Sequence, residues 1–125
     1  MASPAELSEQ LVTAYNNQDF GAMAAMMAPD IDFNHFNRDF AMNDRDQLID
    51  TLRTFAAQYF TERHFEAAEK VLTDGDTAVR VAWYTGVPKV DLPGFGDAGE
   101  RFRLKLCSVM RFNDAGVLVE WKDFG

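Results

Sequence analysis

The stretch "RFRLKLCSVMRFNDAGVLVEWKDFG", Arg101 to Gly125, alternates in polarity on either side of a turn. Arg101, Arg103 and Lys105 fall on one side, and Phe102, Leu104 and Leu106 on the other, which is the two-residue period of a strand. "NDAG" (113–116) is a hairpin turn, and "VLVEWKDFG" (117–125) is the partner strand. There Val117, Val119 and Trp121 alternate with Leu118, Glu120 and Lys122, which places Asp123 on the Trp121 face. A carboxylate on an apolar, buried face has its charged form disfavoured. Asp123 is therefore either a solvated charge near the end of a strand or a functional group.

Upstream, "TAVRVAWYTG" (77–86) reads as another long strand, preceded by the Asp74-Gly75-Asp76 turn and the strand "HFEAAEKVLT" (64–73). "VPKVDLPGFGDAGE" (87–100) reads as a long loop and "RDFAMND" (38–44) as a shorter one. The N-terminal half has the helical period. Ser3-Pro4-Ala5-Glu6 is a capping box with proline at the first helical position, followed by Leu7, Leu11, Ala14 and Tyr15. Asp19 caps a short helix bearing Phe20, Met23, Met26 and Met27, which Pro29 ends. "DIDFNHF" (30–36) is a short strand. A third helix starts near Asn43 or Asp44 and carries Leu48, Leu52, Phe55 and Tyr59. Helices first, then antiparallel strands, predict an α+β domain spanning residues 1–125, with three N-terminal helices on one face of the sheet. Long twisted strands curl such a sheet into a cone around a cavity.

With 125 residues and 47% hydrophobic content, the chain can bury a core without staples. Its formal net charge of -8 repels phosphate backbones and argues against a nucleic-acid partner. No apolar run reaches the ~20 residues of a membrane helix. The N-terminus lacks the pattern of a signal peptide, and the single Cys107 fits a reducing compartment, so a cytoplasmic location is expected. Cys107 has no base near it in sequence and reads as a buried free thiol.

His35 and His64 are the only histidines, and neither has metal-ligand spacing to another donor. No metal or cofactor is expected. His64 follows "FTER" at the end of the third helix and reads as a structural or surface residue. The remaining polar groups lie within apolar strands: Asn34 and His35, Arg80 sharing a face with Ala82 and Tyr84, Ser108 sharing one with Leu104, Leu106 and Met110, and Asp123. An inward Asp beside aromatics has the raised pKa of a general acid or base, and an Arg beside it can fix a substrate oxygen. The plainer readings are a salt bridge for Arg80, a satisfied half-buried imidazole for His35 and core filling for the methionines.

Several strings together resemble the SnoaL-like group of the nuclear transport factor 2-like superfamily over nearly the full length. "FNHFNRDFAMNDRDQLIDTL" (33–52) is similar to that group's His-containing strand, loop and helix start. "VLTDGDTAVRVAWYTG" (71–86) is similar to its turn and following strand, and residues 92–124 to its Pro-Gly loop, long strand and closing hairpin. The resemblance implies a cone of helices around a curved sheet, an apolar pocket, and in many members a dimer paired through the sheet. Activities in the group include polyketide cyclisation, steroid double-bond isomerisation and epoxide hydrolysis. "EWKD" resembles the Trp-Arg-Asp string of the limonene epoxide hydrolase branch, which maps a water-activating role onto Asp123 and an Arg onto Arg80. That branch's second acid falls on Ala82. The protonated Asp of the steroid isomerase branch falls near Ser108. The polyketide cyclase branch keeps a His matching His35 and an Asp compatible with Asp123.

The expectation is thus a cofactor-independent acid-base enzyme acting on a small apolar oxygenated substrate, cyclase- or isomerase-like, with Asp123, His35 and Arg80 as catalytic residues. Tyr15, Met27, Asn34, Phe55, Tyr84, Leu104, Leu106, Ser108 and Trp121 are expected to line its pocket. Epoxide hydrolysis by Asp123-activated water, or a non-catalytic ligand-binding or dimeric module, are the alternatives.

Overall fold

The computed structural model describes residues 2–125. Helix α1 spans Pro4–Asn16 and opens as its sequence predicts: the Glu6 amide donates to Ser3 Oγ, and the Ser3 amide to Glu6 Oε1, each at 3.2 Å. Its buried face carries Leu11, Val12, Ala14 and Tyr15. The short α2, Phe20–Met26, is capped by Asp19, and α3, Arg45–Gln58, by Asp44. Leu48, Ile49 and Leu52 are the buried stripe of α3.

The described residues form seven strands, β1 (Met27–His35) and β2 (Phe40–Met42) before α3, and β3 (Phe60–Phe65), β4 (Lys70–Asp74), β5 (Thr77–Pro88), β6 (Phe102–Phe112) and β7 (Leu118–Phe124) after it. The sheet runs β2-β1-β7-β6-β5-β3, with β4 also paired to β5. All pairings are antiparallel except β1 with β7, which is parallel. The sheet curls into a half-barrel, and the three helices pack against it. Leu11, Met23, Ile31, Leu48, Met110 and Leu118, all without solvent exposure, form the seam between helices and sheet.

β6 shows the expected alternation: Phe102, Leu106, Ser108, Met110 and Phe112 are buried, while Arg103 and Lys105 are exposed. On the outer face, Arg101 pairs with Glu62, Arg103 with Glu66 at 2.8 Å and Lys105 with Glu69 at 2.7 Å. β7 departs from simple alternation. Arg111 pairs with Glu120 but Phe112 with Leu118, so Val119 is the extra residue of a bulge. Leu118 and Trp121 are therefore both fully buried, and Val119 is not. Beyond the bulge, Trp121 and Asp123 share the buried face.

Four boundaries differ from the sequence reading. "HFEAAEKVLT" is not one strand: β3 ends at Phe65 and β4 begins at Lys70, both pairing along β5. β3 starts at Phe60, so His64 lies in a strand opposite Thr85 rather than at a helix end. "RDFAMND" holds the short β2, and α2 stops at Met26, so Met27 opens β1 ahead of Pro29. Backbone pairing decided each case against local pattern.

Gly86 is closely enclosed on β5: a Cβ there would lie 2.6 Å from the Glu62 carbonyl oxygen and 2.9 Å from the Phe102 ring. Gly86→Ala should cost about 1–3 kcal/mol in urea denaturation. Unchanged stability would contradict this β3–β5–β6 packing.

Candidate functional site

The concave side of the sheet, α1, α3 and the loop of residues 89–101 enclose a cavity of about 280 Å³. Tyr15, Tyr84, Leu106, Trp121 and Asp123 are buried and form its floor. Phe33, Leu52 and Phe65 add apolar wall. Arg38, Phe40, Phe55, Leu92 and Phe95 are partly exposed and Pro93 is exposed, so this end opens to solvent.

Asp123 is 3% exposed. Its Oδ1 accepts from Trp121 Nε1 at 2.9 Å, and in the β6–β7 ladder it stands opposite Ser108. Burial pushes the carboxyl from its ordinary 3.8 up to about 6, against the opposing pull of Ser108 and Trp121. The parallel β1–β7 ladder sets His35 directly opposite Asp123, and both line the cavity. Burial first, and the Arg38 charge second, bring His35 from 6.5 down to about 4. At neutral pH the site thus holds a neutral imidazole beside a carboxylate poised near its pKa.

Facing this pair, the Tyr15 and Tyr84 hydroxyls share a hydrogen bond of 2.6 Å. Burial raises both phenols, Tyr84 well above its ordinary value, while the Arg63 cation favours their ionised forms. Arg63 lines the cavity, lies 5.1 Å from the Tyr15 ring centroid and donates from Nη2 to the Leu52 carbonyl at 2.9 Å. Among the described residues, no cluster of three or more His, Cys, Asp or Glu is placed to hold a metal ion.

Of the residues expected at the site, Asp123, His35, Tyr15, Phe55, Tyr84, Leu106 and Trp121 come together around the cavity. Ser108 lies behind Asp123 rather than on the cavity surface. Arg80 is not brought to the site. It does share the buried face of β5 with Ala82 and Tyr84, but its Nε donates to Glu9 at 2.7 Å and its Nη2 to the Glu66 carbonyl at 3.2 Å. It is the salt-bridge partner of α1. Asn34 points away from the cavity, donating to Asp32 at 2.9 Å. Met27 is core at the start of β1, and Leu104 packs against the core outside the cavity lining. Arg63, Arg38 and the loop residues Leu92, Pro93 and Phe95 were missed. Arg63 sits two residues before the buried Phe65, a strand spacing hidden by assigning "FTER" to a helix end.

The sequence model of the SnoaL-like domain family matches residues 8–121. No curated protein matches significantly. Among solved structures, a candidate polyketide cyclase from Pseudomonas putida is 16% identical with a TM-score of 0.84, covering 100% of this chain and 92% of that one. A second candidate polyketide cyclase, from Xanthomonas campestris, is 19% identical with a TM-score of 0.82, covering 98% and 89%. An epoxide hydrolase from M. tuberculosis, of the LEH-like type, is 17% identical with a TM-score of 0.73, covering 94% and 77%. At these identities the likeness shows the fold.

The two shifted groups act oppositely on stability. The folded chain holds the Asp123 proton from about pH 4 to about pH 6 while the unfolded chain has released it, so this contribution falls as pH rises through that interval. For His35 the unfolded chain takes the proton first, so its contribution falls as pH drops from about 6.5 to about 4. Asp123→Asn should gain on wild type by up to ~3 kcal/mol between pH ~4 and ~6. His35→Gln should gain in the reverse direction. Denaturation curves across this range measure both, and a pH-independent difference would contradict the assignment.

Proposed function

Because the chain belongs to the SnoaL-like domain family, and because its cavity sets a buried carboxylate opposite a hydrogen-bonded tyrosine pair, we propose that it is a cofactor-independent acid-base enzyme. It acts on a small, largely apolar substrate carrying a carbonyl group. The observation that carries this reading is Asp123, buried in an apolar cavity with its carboxyl pushed up to about 6. A group with that pKa is ionised at neutral pH yet gives its proton back readily.

Asp123 takes a proton from the carbon next to the substrate carbonyl. The C–H electron pair becomes the C=C bond of an enolate, and the carbonyl oxygen takes the charge. The Tyr15–Tyr84 pair donates a hydrogen bond to that oxygen, with the Arg63 cation behind it. The enolate then takes the proton back from Asp123 at another carbon, an isomerisation, or attacks a second carbonyl carbon, whose C=O π pair moves to its oxygen and takes the proton from Asp123, a cyclisation. Trp121 Nε1–H holds Asp123 in one orientation through the cycle. Neutral His35, opposite Asp123, lines the path of the reacting carbon.

Epoxide hydrolysis fits less well. It needs an acid for the opening oxygen, and Asp123 is the one carboxylate lining the cavity among the described residues. Ala82 stands where the second acid would be, and Arg80 is engaged by Glu9. A non-catalytic binding role predicts no effect of Asp123 on chemistry, which separates it from the enzyme reading.

Deuterium incorporation into 2-tetralone in D₂O, followed by NMR, tests the proposal. The wild-type rate should rise with pH through about 6, and Asp123→Asn should lower it by roughly 10²- to 10⁴-fold with the fold intact. Incorporation no faster than in buffer, or an Asp123→Asn rate within a few-fold of wild type, would overturn it.

A further inference from the structure

The sheet ends on one side at β3 and β4, which pair with successive halves of β5 and with no other strand among the described residues. Every residue of β4, Lys70–Asp74, is exposed. Its register with β5 runs unbroken, and it holds no proline, glycine or bulge to discourage a further strand. The other outer strands are less open to one: β2 has only three residues, and the register of β3 is broken between Phe60 and Glu62.

The hairpin decides which main-chain groups of β4 are free. Asp74 pairs with Thr77 across a two-residue turn whose first position, Gly75, has φ +59°. The pair closing such a turn is hydrogen-bonded, and every second pair after it is too. Asp74, Leu72 and Lys70 therefore turn their main-chain groups toward β5, and Val71 and Thr73 turn theirs away. No other main-chain bond engages Val71 or Thr73 among the described residues. The side chains of Lys70, Leu72 and Asp74 lie on the outer face, opposite Val81, Val79 and Thr77. Leu72 is 52% exposed. Lys105 and Lys122 pair with carboxylates and Lys89 donates to the Ala57 carbonyl, but neither Lys70 nor Asp74 meets an opposite charge among the described residues.

We infer that β4 is a docking edge for a second copy of this chain, joined antiparallel about a two-fold axis at Leu72. In that register Val71 bonds to Thr73 of the second copy, and Thr73 to its Val71, so every free main-chain group finds a partner. Leu72 then faces Leu72, and Lys70 faces Asp74, at the pairs where antiparallel side chains approach most closely. Moving the axis to Val71 or Thr73 would set Leu72 against Lys70 or Asp74 instead. The strand carries opposite charges two residues either side of its leucine, which makes the edge complementary to itself. The contact is small and each copy has a net charge of -8, so the dimer is a weak one. β4 takes no part in the cavity lining, so this inference stands or falls apart from the catalytic reading.

Sedimentation velocity on the full chain from about 10 µM to about 1 mM should show a concentration-dependent dimer, the range of a contact this small. Lys70→Asp and Asp74→Lys should each weaken it at least about ten-fold, because each turns two attractive pairs into repulsive ones. Asp74→Lys lowers the net negative charge, so relief of general repulsion predicts the opposite result for that variant. Mixed together, the two variants should associate again, since each supplies the charges the other lacks. In the wild type, amide exchange at Val71 and Thr73 should slow as concentration rises. A chain still monomeric at the top of the range leaves this edge to another partner and overturns the inference. So does a dimer that both single substitutions leave intact, exchange at Val71 and Thr73 that ignores concentration, or variants that stay apart on mixing.

Discussion

The parallel ladder between β1 and β7 is the constraint on which the site depends. It joins the segment after α2 to the last strand of the chain, and every other pairing in the sheet is antiparallel. Such a ladder has no short turn to set its register, so burial must set it. Phe33 and Trp121 are paired residues of that ladder, both buried, with their rings edge to face at 5.1 Å. Once that pair is in place, His35 stands opposite Asp123 two residues on. The placing of His35 and Asp123 follows from an aromatic contact in the cavity's own wall.

Around that ladder the cavity separates its charges. Asp123 sits on the floor with only the Trp121 donor and Ser108 for company, and its charge is tolerated at a cost visible in its pKa. The cations sit apart from it, Arg63 over the Tyr15 ring and Arg38 on the open side. The Tyr15–Tyr84 hydrogen bond links α1 to β5 across the floor, so the helix that caps the sheet also supplies one of the two hydroxyls. Packing and polarity are satisfied by the same side chains, and the cavity needs no separate scaffold.

Much of the architecture was legible because β6 is so regular: eleven residues whose inward positions are apolar but for Ser108 announce a strand with one wet face. Helix starts were equally plain, since Ser3, Asp19 and Asp44 are caps whose side chains do what their types allow. The site was half legible. Asp123 and Tyr84 could be placed inward by counting. Arg80 could also be placed inward, correctly, but counting gives a face and not a destination. Its long side chain reaches past the sheet to Glu9 on α1, a contact seventy-one residues distant in sequence. Arg63 was hidden for the opposite reason. The strand that carries it follows α3 after a single residue, Tyr59, so no turn signal marked the change of period.

The bulge at Val119 gives the last strand two different tolerances to change in length. Before it, the turn at residues 113–116 can gain or lose a residue and leave the inward order of Trp121 and Asp123 to be restored by local adjustment. After it, one inserted or deleted residue reverses which side chains face the cavity, turning Lys122 inward and Asp123 out. The evolutionary freedom of this chain to drift in length therefore stops at Val119, and the reading frame of its chemistry starts there.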